Sequence, residues 1–381
     1  MFRSSAGLLR KISPRLIGAT WLLSIGSATY YRPLPMSDSS LPPPGHDKHE
    51  REEKDIDINL HAIDRKGEIF CSDEPPAFSR DDTPVLLGIA QKLSIGITTV
   101  VIRLFMNTYG EYSIHDNEHY EHFVKLVLGG KGRKENKQGL LTVSNHRTLF
   151  DDPGVVSCLL PLWIGVQPKY NRWGICSQEY CFSDLMPTLM KGYIGAGQVL
   201  PIKRGGGINQ TLFRDFASLV ARGEWCHIFP EGGVWQWNEL GGRGRHSIIE
   251  SEARGLKKSK LKWGVGKLIA HAPNRPRVVP FAHVGMENLL PQDPKTRKTY
   301  LKKKIIGGAP LKLRIQFGAE IYFDDLIEEH ESQYGKLWIY GAEKKHFVSS
   351  EVEKELYRKI ALRIQHRLET LTKEVLIREI K

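Results

Sequence analysis

Five short, largely apolar runs, separated by segments of helical periodicity, constrain this chain more than any other feature. Leu140–Val143, Val199–Ile202, Trp225–Phe229, Arg277–Phe281 and Leu311–Phe317 are rich in β-branched and aromatic residues and have the length of buried strands. Glu118–Leu128, the stretch from Asp152 to Leu160 that Pro161 stops, Gln210–Arg222 and Trp263–His271 read as helices between them. On Gln210–Arg222 the apolar residues Leu212, Phe216, Leu219 and Val220 share one side. Strands alternating with helices predict an α/β domain whose central sheet is mixed but largely parallel and is flanked by helices.

The flanks of this domain have a different character. Residues 84–107 are apolar, with Lys92, Thr99 and Arg103 forming a narrow polar stripe. Two cations inside a spanning segment are costly, so the stretch is expected to be a helix or hairpin that dips into one leaflet with its cations at the headgroups. A helix buried against the domain is the alternative. At the other end, Val352, Leu356, Ile360, Ile364, Leu368, Leu371 and Val375 recur every three or four residues, which predicts a long amphipathic C-terminal helix. Residues 1–31 begin basic and Ser-containing, and the first acid is Asp38, the pattern of a mitochondrial transit peptide, with a secretory signal as the competing reading. Residues 32–83 are Pro-rich and charge-mixed and read as a linker. The organisation expected is therefore 1–31 targeting, 32–83 linker, 84–107 membrane-interacting segment, 108–345 catalytic domain and 346–381 C-terminal helix.

The first apolar run ends at Ser144-Asn145, and His146 follows at once, just beyond the carboxyl end of a strand, where open α/β sheets bind ligands. Asp151 lies five positions on. Residues five apart do not share a helical face, so the two side chains meet only if a turn separates them. A histidine oriented by a carboxylate is the minimum equipment of a general base; the plainer reading is a loop histidine followed by helix-capping acids. Lys203 and Arg204 follow the second run, and Glu231-Gly232 follow the third through Phe229-Pro230. Placed on one sheet edge, these residues supply a base, a guanidinium suited to phosphate, and an acid able to accept hydrogen bonds from hydroxyls.

The formal net charge of +12 favours polyanionic partners, either nucleic acid or an anionic membrane. No zinc-finger, RNP or helix-turn-helix signature is present, which argues against nucleic acid. Two basic runs suit an anionic surface: Arg254, Lys257, Lys258, Lys260 and Lys262, then Lys295, Arg297, Lys298, Lys302, Lys303 and Lys304. The five cysteines form no Cys-x-x-Cys pair and are expected to be reduced, with no metal site.

Taken in order, His-x4-Asp at His146–Asp151, Gly-x3-Pro-x2-Arg at Gly197–Arg204, Phe-Pro-Glu-Gly at Phe229–Gly232 and Val-Val-Pro-Phe at Val278–Phe281 resemble the four blocks of the glycerolipid acyltransferases. Asp151–Pro153, His227–Gly232, Lys262–Ile269 and His283–Pro291 narrow the resemblance to the branch that moves acyl chains between phospholipids. It runs from about Pro84 to the C-terminal helix; the long N-terminal extension and the loop Asn238–Lys260 depart from it. The resemblance implies transacylation between a phospholipid and a lysophospholipid without a cofactor or metal. Cardiolipin, monolysocardiolipin and phosphatidylcholine are the implied substrates, in mitochondrial membranes facing the intermembrane space. His146 and Asp151 would be catalytic, and Lys203, Arg204, Glu231 and Gly232 would bind substrate. The chain has no Gly-x-Ser-x-Gly elbow, which favours direct transfer over an acyl-serine intermediate. An acyl-CoA-dependent lysophospholipid acyltransferase is the alternative, and a membrane scaffold without chemistry a more distant one.

Overall fold

Leu140 and Leu141 point to opposite faces of one strand, and both are fully buried, so the sheet that holds them is covered on each side. A computed structural model of the chain describes residues 85–115, 117–234, 236, 261–292, 310–340 and 348–380. The expectations for residues 1–31 and 32–83, for the loop Asn238–Lys260, and for every cation of the two basic runs except Lys262 fall outside these residues.

The described chain opens with helix α1 (Val85–Tyr109) and strand β1 (Gly110–His115), followed by α2 (Asn117–Leu128), α3 (Gly130–Glu135) and β2 (Gln138–Ser144). Next come α4 (Asp151–Leu159), α5 (Leu162–Gly165), β3 (Gly174–Ser177), α6 (Gln178–Cys181), α7 (Thr188–Ala196) and β4 (Val199–Ile202). The remaining elements are α8 (Thr211–Ala221), β5 (Trp225–Ile228), α9 (Gly264–Ala270), β6 (Asn274–Val284), β7 (Leu311–Phe317), α10 (Asp324–Tyr334) and α11 (Glu351–Ile380).

Five strands form the central sheet in the order β1-β7-β6-β2-β5. β5, β2 and β6 are parallel, with Leu141 opposite Cys226 on one side and Val278 on the other. β6 outlasts β2, and its last residues pair antiparallel with β7, Phe281 opposite Phe317; β1 then runs parallel to β7. Val199–Ile202 is a strand, as expected, but it does not belong to this sheet. It pairs with β3 in a separate two-stranded sheet. One parallel bridge, Trp173 to Cys226, joins that small sheet to β5, so both sheets run in the same sense. The carboxyl end of β4 therefore faces the same side as those of β2 and β5.

Two apolar layers sandwich the sheet. On one face Leu141, Val143, Ile228 and Val278 meet α8, α9 and α11. On the other Leu140, Trp225, Val279 and Phe281 meet α2 and α4. Phe123 centres the second layer, stacked on Phe317 at 4.9 Å and edge-on to Trp225 at 5.3 Å; truncating such a side chain typically costs about 3–5 kcal/mol. The C-terminal helix packs on the domain through Leu356, Tyr357, Ile360, Ile364 and Leu368. Its start is a capping box, in which Ser350 and Glu353 exchange hydrogen bonds. α9 crosses it so closely that a Cβ on Gly266 would lie 2.5 Å from the Tyr357 Cα, so only glycine fits there.

Two expectations need correction. The apolar stretch near residues 84–107 is one helix, α1, long and apolar enough to cross a membrane, but Arg103 does not reach outward from it. Arg103 turns into the domain and donates to the carbonyl oxygens of Ser157, at 2.8 Å, and of Leu160, and to the Tyr112 hydroxyl. These carbonyls close α4, where a helix has partial negative charge and bare acceptors, and a guanidinium is well placed to satisfy them. Thr99 is also buried, whereas Lys92 is exposed. The second correction concerns the cysteines. Cys176 and Cys181 form a disulfide, because the single turn of α6 folds the end of β3 back until their Cα atoms are 6.1 Å apart. Cys158 and Cys226 are buried thiols.

Candidate active site

The turn that His146 and Asp151 require is present. β2 ends at Ser144, residues 147–150 fold back, and Asp151 opens α4. His146 Nδ1 and Asp151 Oδ2 are 3.0 Å apart. The same carboxylate shapes the turn around itself: it accepts the backbone N–H groups of Arg147 and Thr148 and the Thr148 hydroxyl, the last two at 2.8 Å. Asp151 is fully buried. Burial alone would raise its pKa, but nearby His283, the hydrogen bond and charge of His146 and the Thr148 amide together pull it down to about 2. It is an ionised acceptor, so His146 presents Nδ1–H to it, which leaves Nε2 as the nitrogen able to take a proton.

The His146 side chain is 18% exposed. Its ring lies on that of Phe229, centroids 4.2 Å apart and planes within 18°. Phe229 follows β5 directly, so the end of the neighbouring strand forms the floor under the imidazole. Beneath it His227 is buried between Thr142 Oγ1, at 2.9 Å from its Nδ1, and Ser144 Oγ. Burial pushes the His227 pKa down to about 3, so it is a neutral supporting group.

The other predicted residues divide between two places. Glu231 is buried in the turn after Phe229, and the Gly232 N–H donates to the Phe229 carbonyl at 3.1 Å. Gly232 has φ +65°, a left-handed conformation that favours glycine, and a Cβ there would press on the Lys262 side chain at 2.9 Å. Glu231 and Gly232 are thus joined to the His146 floor through Phe229. Lys203 and Arg204 instead follow β4 of the small sheet, and both are exposed. The Arg204 N–H donates to Glu179 at 3.0 Å, while its guanidinium lies over the Tyr180 ring at 5.5 Å and donates to the Tyr180 hydroxyl. Both partners come from the turn that the Cys176–Cys181 disulfide closes.

Several supporting residues escaped the sequence reading. Arg172 holds Asp152 with two hydrogen bonds, 2.8 and 2.6 Å, and the Gly197 carbonyl with a third. It thereby ties the start of α4 to the small sheet. Arg147 is buried and pairs with Glu287 at 2.9 Å. Asn145 and His283 bind each other across the ends of β2 and β6. The acids Asp152 and Glu287 were legible as types, but their partners are 20 and 140 residues away and meet only once the sheet exists.

Residues 117–284 match the sequence model of the Acyltransferase family. The chain is 29% identical over 258 residues to Tafazzin of Drosophila melanogaster, covering 67% of this chain and 58% of the fly protein. It is 26% identical over 302 residues to Taffazin of Dictyostelium discoideum, covering 78% and 87% of the two chains. It is also 26% identical over 238 residues to N-acylphosphatidylethanolamine synthase of Arabidopsis thaliana, covering 61% and 76%. The matched span begins at α2 and ends with β6, and so contains both His146 and Asp151 with β2 and α4, the elements that position them. Residues 117–284 are thus similar to an acyltransferase, and the chain is similar to tafazzins over most of its length.

Proposed function

We propose that this chain is a phospholipid–lysophospholipid transacylase, that it remodels cardiolipin by acylating monolysocardiolipin or another lysophospholipid, and that His146 and Asp151 perform the chemistry. The observation that carries the reading is the short turn between the two residues. It joins an imidazole to an ionised, fully buried carboxylate at 3.0 Å, and it presents Leu149, 56% exposed, and Phe150 outward beside them. A base flanked by exposed apolar side chains suits a hydroxyl delivered from a lipid surface. Trp163, 71% exposed on α5, and Leu86, Ile89, Val100 and Val101 on α1 extend the apolar surface, and α1 packs directly on α4 and α5. This surface supports a membrane-associated domain, peripheral or monotopic; the location we propose, on mitochondrial membranes facing the intermembrane space, rests on the sequence resemblance and not on this surface.

In the proposed reaction Asp151 holds Nδ1–H, and His146 Nε2 takes the proton from the free hydroxyl of the lysophospholipid. The hydroxyl oxygen bonds to the donor's ester carbonyl carbon and gives a tetrahedral oxyanion. Collapse of that species breaks the old ester bond, and the leaving oxygen takes the proton back from Nε2. One ester forms, one breaks, and no co-reactant is consumed. General-base assistance of this kind is typically worth roughly 10²–10⁴-fold. Arg204 and Lys203, exposed at the end of β4, are read as the phosphate contact, with Glu231 and Gly232 shaping the floor.

The test is turnover by the purified chain on liposomes of cardiolipin and radiolabelled lysophosphatidylcholine, with and without acyl-CoA. Label moving into phosphatidylcholine without acyl-CoA supports the reading; strict dependence on acyl-CoA replaces it with the acyl-CoA-dependent alternative. The name of the Arabidopsis relative specifies an amine acceptor, so a second assay adds phosphatidylethanolamine and carries the label in the acyl chains of the donor; label appearing as an N-acyl product would change the acceptor while leaving the base in place.

A further inference from the structure

We infer that His283 is a positioning residue for the His146–Asp151 pair: carried near the end of β6, it locks the residue preceding His146 and lies beside the carboxylate oxygen that His146 binds. The inference rests on the acyl-transfer reading above. The β2–β6 ladder ends at Ser144 opposite Phe281. Asn145 then extends it with its side chain. Asn145 Nδ2 donates to the His283 carbonyl at 2.8 Å, and the His283 N–H donates to Asn145 Oδ1 at 2.9 Å. The His283 ring returns a third bond, with Nε2 3.0 Å from the Asn145 carbonyl oxygen. Both residues are buried, so each of these bonds is made where water cannot replace it.

The tautomer of His283 follows from its neighbours. Nε2 faces two acceptors, the Asn145 carbonyl and, at 3.7 Å, Asp151 Oδ2. A lone pair there would be repelled by both, so Nε2 carries the hydrogen. Nδ1 is buried with no hydrogen-bond partner among the described residues. A proton on Nδ1 would leave an N–H unsatisfied and a charge in a dry site. The charged groups facing the ring are Asp151, Glu287 and Arg147, and the last two pair with each other at 2.9 Å. Burial lowers the His283 pKa, which keeps the ring neutral. A neutral His283 steadies Asp151 with a dipole and leaves the full carboxylate charge to His146. A protonated one would compete with His146 for the same oxygen.

Plain core packing would also fill this space with an imidazole, and the position of the donor separates the two accounts. A glutamine amide nitrogen falls near Nε2 of a histidine; an asparagine amide nitrogen falls near Nδ1. Full-length His283→Gln, His283→Asn and His146→Ala variants would be assayed for acyl transfer on cardiolipin liposomes carrying labelled lysophosphatidylcholine, with kcat, KM and thermal midpoint read for each. His283→Asn is expected to lower kcat by roughly 10–100-fold, the scale of a small misplacement of reacting groups, with KM within about twofold. His283→Gln is expected to recover kcat to within about threefold of wild type, at the same thermal midpoint as His283→Asn. Equal kcat in the two variants overturns the inference, whether both match wild type or both fall in step with the midpoint. If His146→Ala retains wild-type turnover, the acyl-transfer reading itself fails; if it is inactive while His283→Asn is unimpaired, only the positioning role fails. Selectively 15N-labelled histidine in the unaltered protein gives a readout independent of folding defects in the variants. His283 should show protonated Nε2 and bare Nδ1 at neutral pH, and the opposite tautomer or an imidazolium contradicts the inference.

Discussion

Two histidines of this protein keep nearly the same company, and the proposed reaction gives them opposite purposes. His146 stacks on Phe229 at 4.2 Å with its planes within 18°, and His271 stacks on Trp338 at 3.7 Å within 19°. Each has a carboxylate near a ring nitrogen, Asp151 at 3.0 Å and Glu353 at 3.7 Å. The difference lies in the remaining nitrogen. His271 has none to spare: Nδ1 faces the Trp338 carbonyl at 2.7 Å, and Nε2 meets the Tyr357 hydroxyl. Its side chain is fully buried in the seam between α9 and α11. Among the described residues His146 commits only Nδ1, and it sits at the end of a parallel strand, partly open to solvent. A carboxylate and an aromatic neighbour therefore do not make a base. One uncommitted nitrogen at a reachable sheet edge is the further requirement.

The sharpest way to break this comparison is to alter the acid of each pair. Asp151→Asn is expected to lower kcat by roughly 10²–10⁴-fold, because an amide no longer selects the Nδ1–H tautomer. Glu353→Gln should leave acyl transfer per folded molecule at wild-type level in the same liposome assay. Next in size is His271→Ala, which strips partners from the Tyr357 hydroxyl and the Trp338 carbonyl and opens space in a packed seam. Urea denaturation should report a loss of about 2–4 kcal/mol, with kcat unchanged for the folded fraction.

Acid sharpens the contrast further. Burial and nearby Lys267 push His271 down to about 4 against the opposing pull of the Trp338 carbonyl and Glu353. The unfolded chain takes up the proton near 6.5 while the folded chain does not. Stability should therefore be complete above that value and fall as pH drops toward about 4, by about 1.4 kcal/mol per pH unit for one proton. His271→Gln, compared with wild type by urea melts from pH 7 to 4, should flatten that part of the slope. Asp151 acts lower on the scale: its folded pKa of about 2 lies below the ordinary carboxylate value, so its contribution is present above about 4 and is lost from there down to about 2. The smallest effect belongs to the exposed arm. Arg204→Ala should raise KM for an anionic phospholipid by about three- to tenfold with little change in kcat, since a single solvent-facing contact is worth about 1 kcal/mol.

The parallel core was legible because strands buried on both faces read as near-continuous apolar runs, and Leu140–Val143 and Trp225–Phe229 are such runs, each broken by one buried polar residue. β1 was not, since Gly-Glu-Tyr-Ser-Ile-His is an edge strand with little apolar content. β3 is four residues long and closes on a disulfide turn that the cysteine spacing did not announce. His146 and Asp151 were readable as a motif, and the turn between them as a geometric necessity. Arg172, Asn145 and His283 were not readable as partners, because their hydrogen bonds depend on which strands become neighbours. Arg103 shows the same limit from the other side: its charge suggested headgroups, but the carbonyl end of α4 beside it was a feature of packing alone.

The central claim is that one reachable imidazole, oriented by one buried carboxylate, carries the reaction. Its most direct measurement is acyl transfer from cardiolipin to labelled lysophosphatidylcholine in liposomes by His146→Ala, with His271→Ala alongside. The account predicts a rate near background for His146→Ala and a wild-type rate per folded molecule for His271→Ala. Wild-type transfer by a folded His146→Ala protein would contradict it.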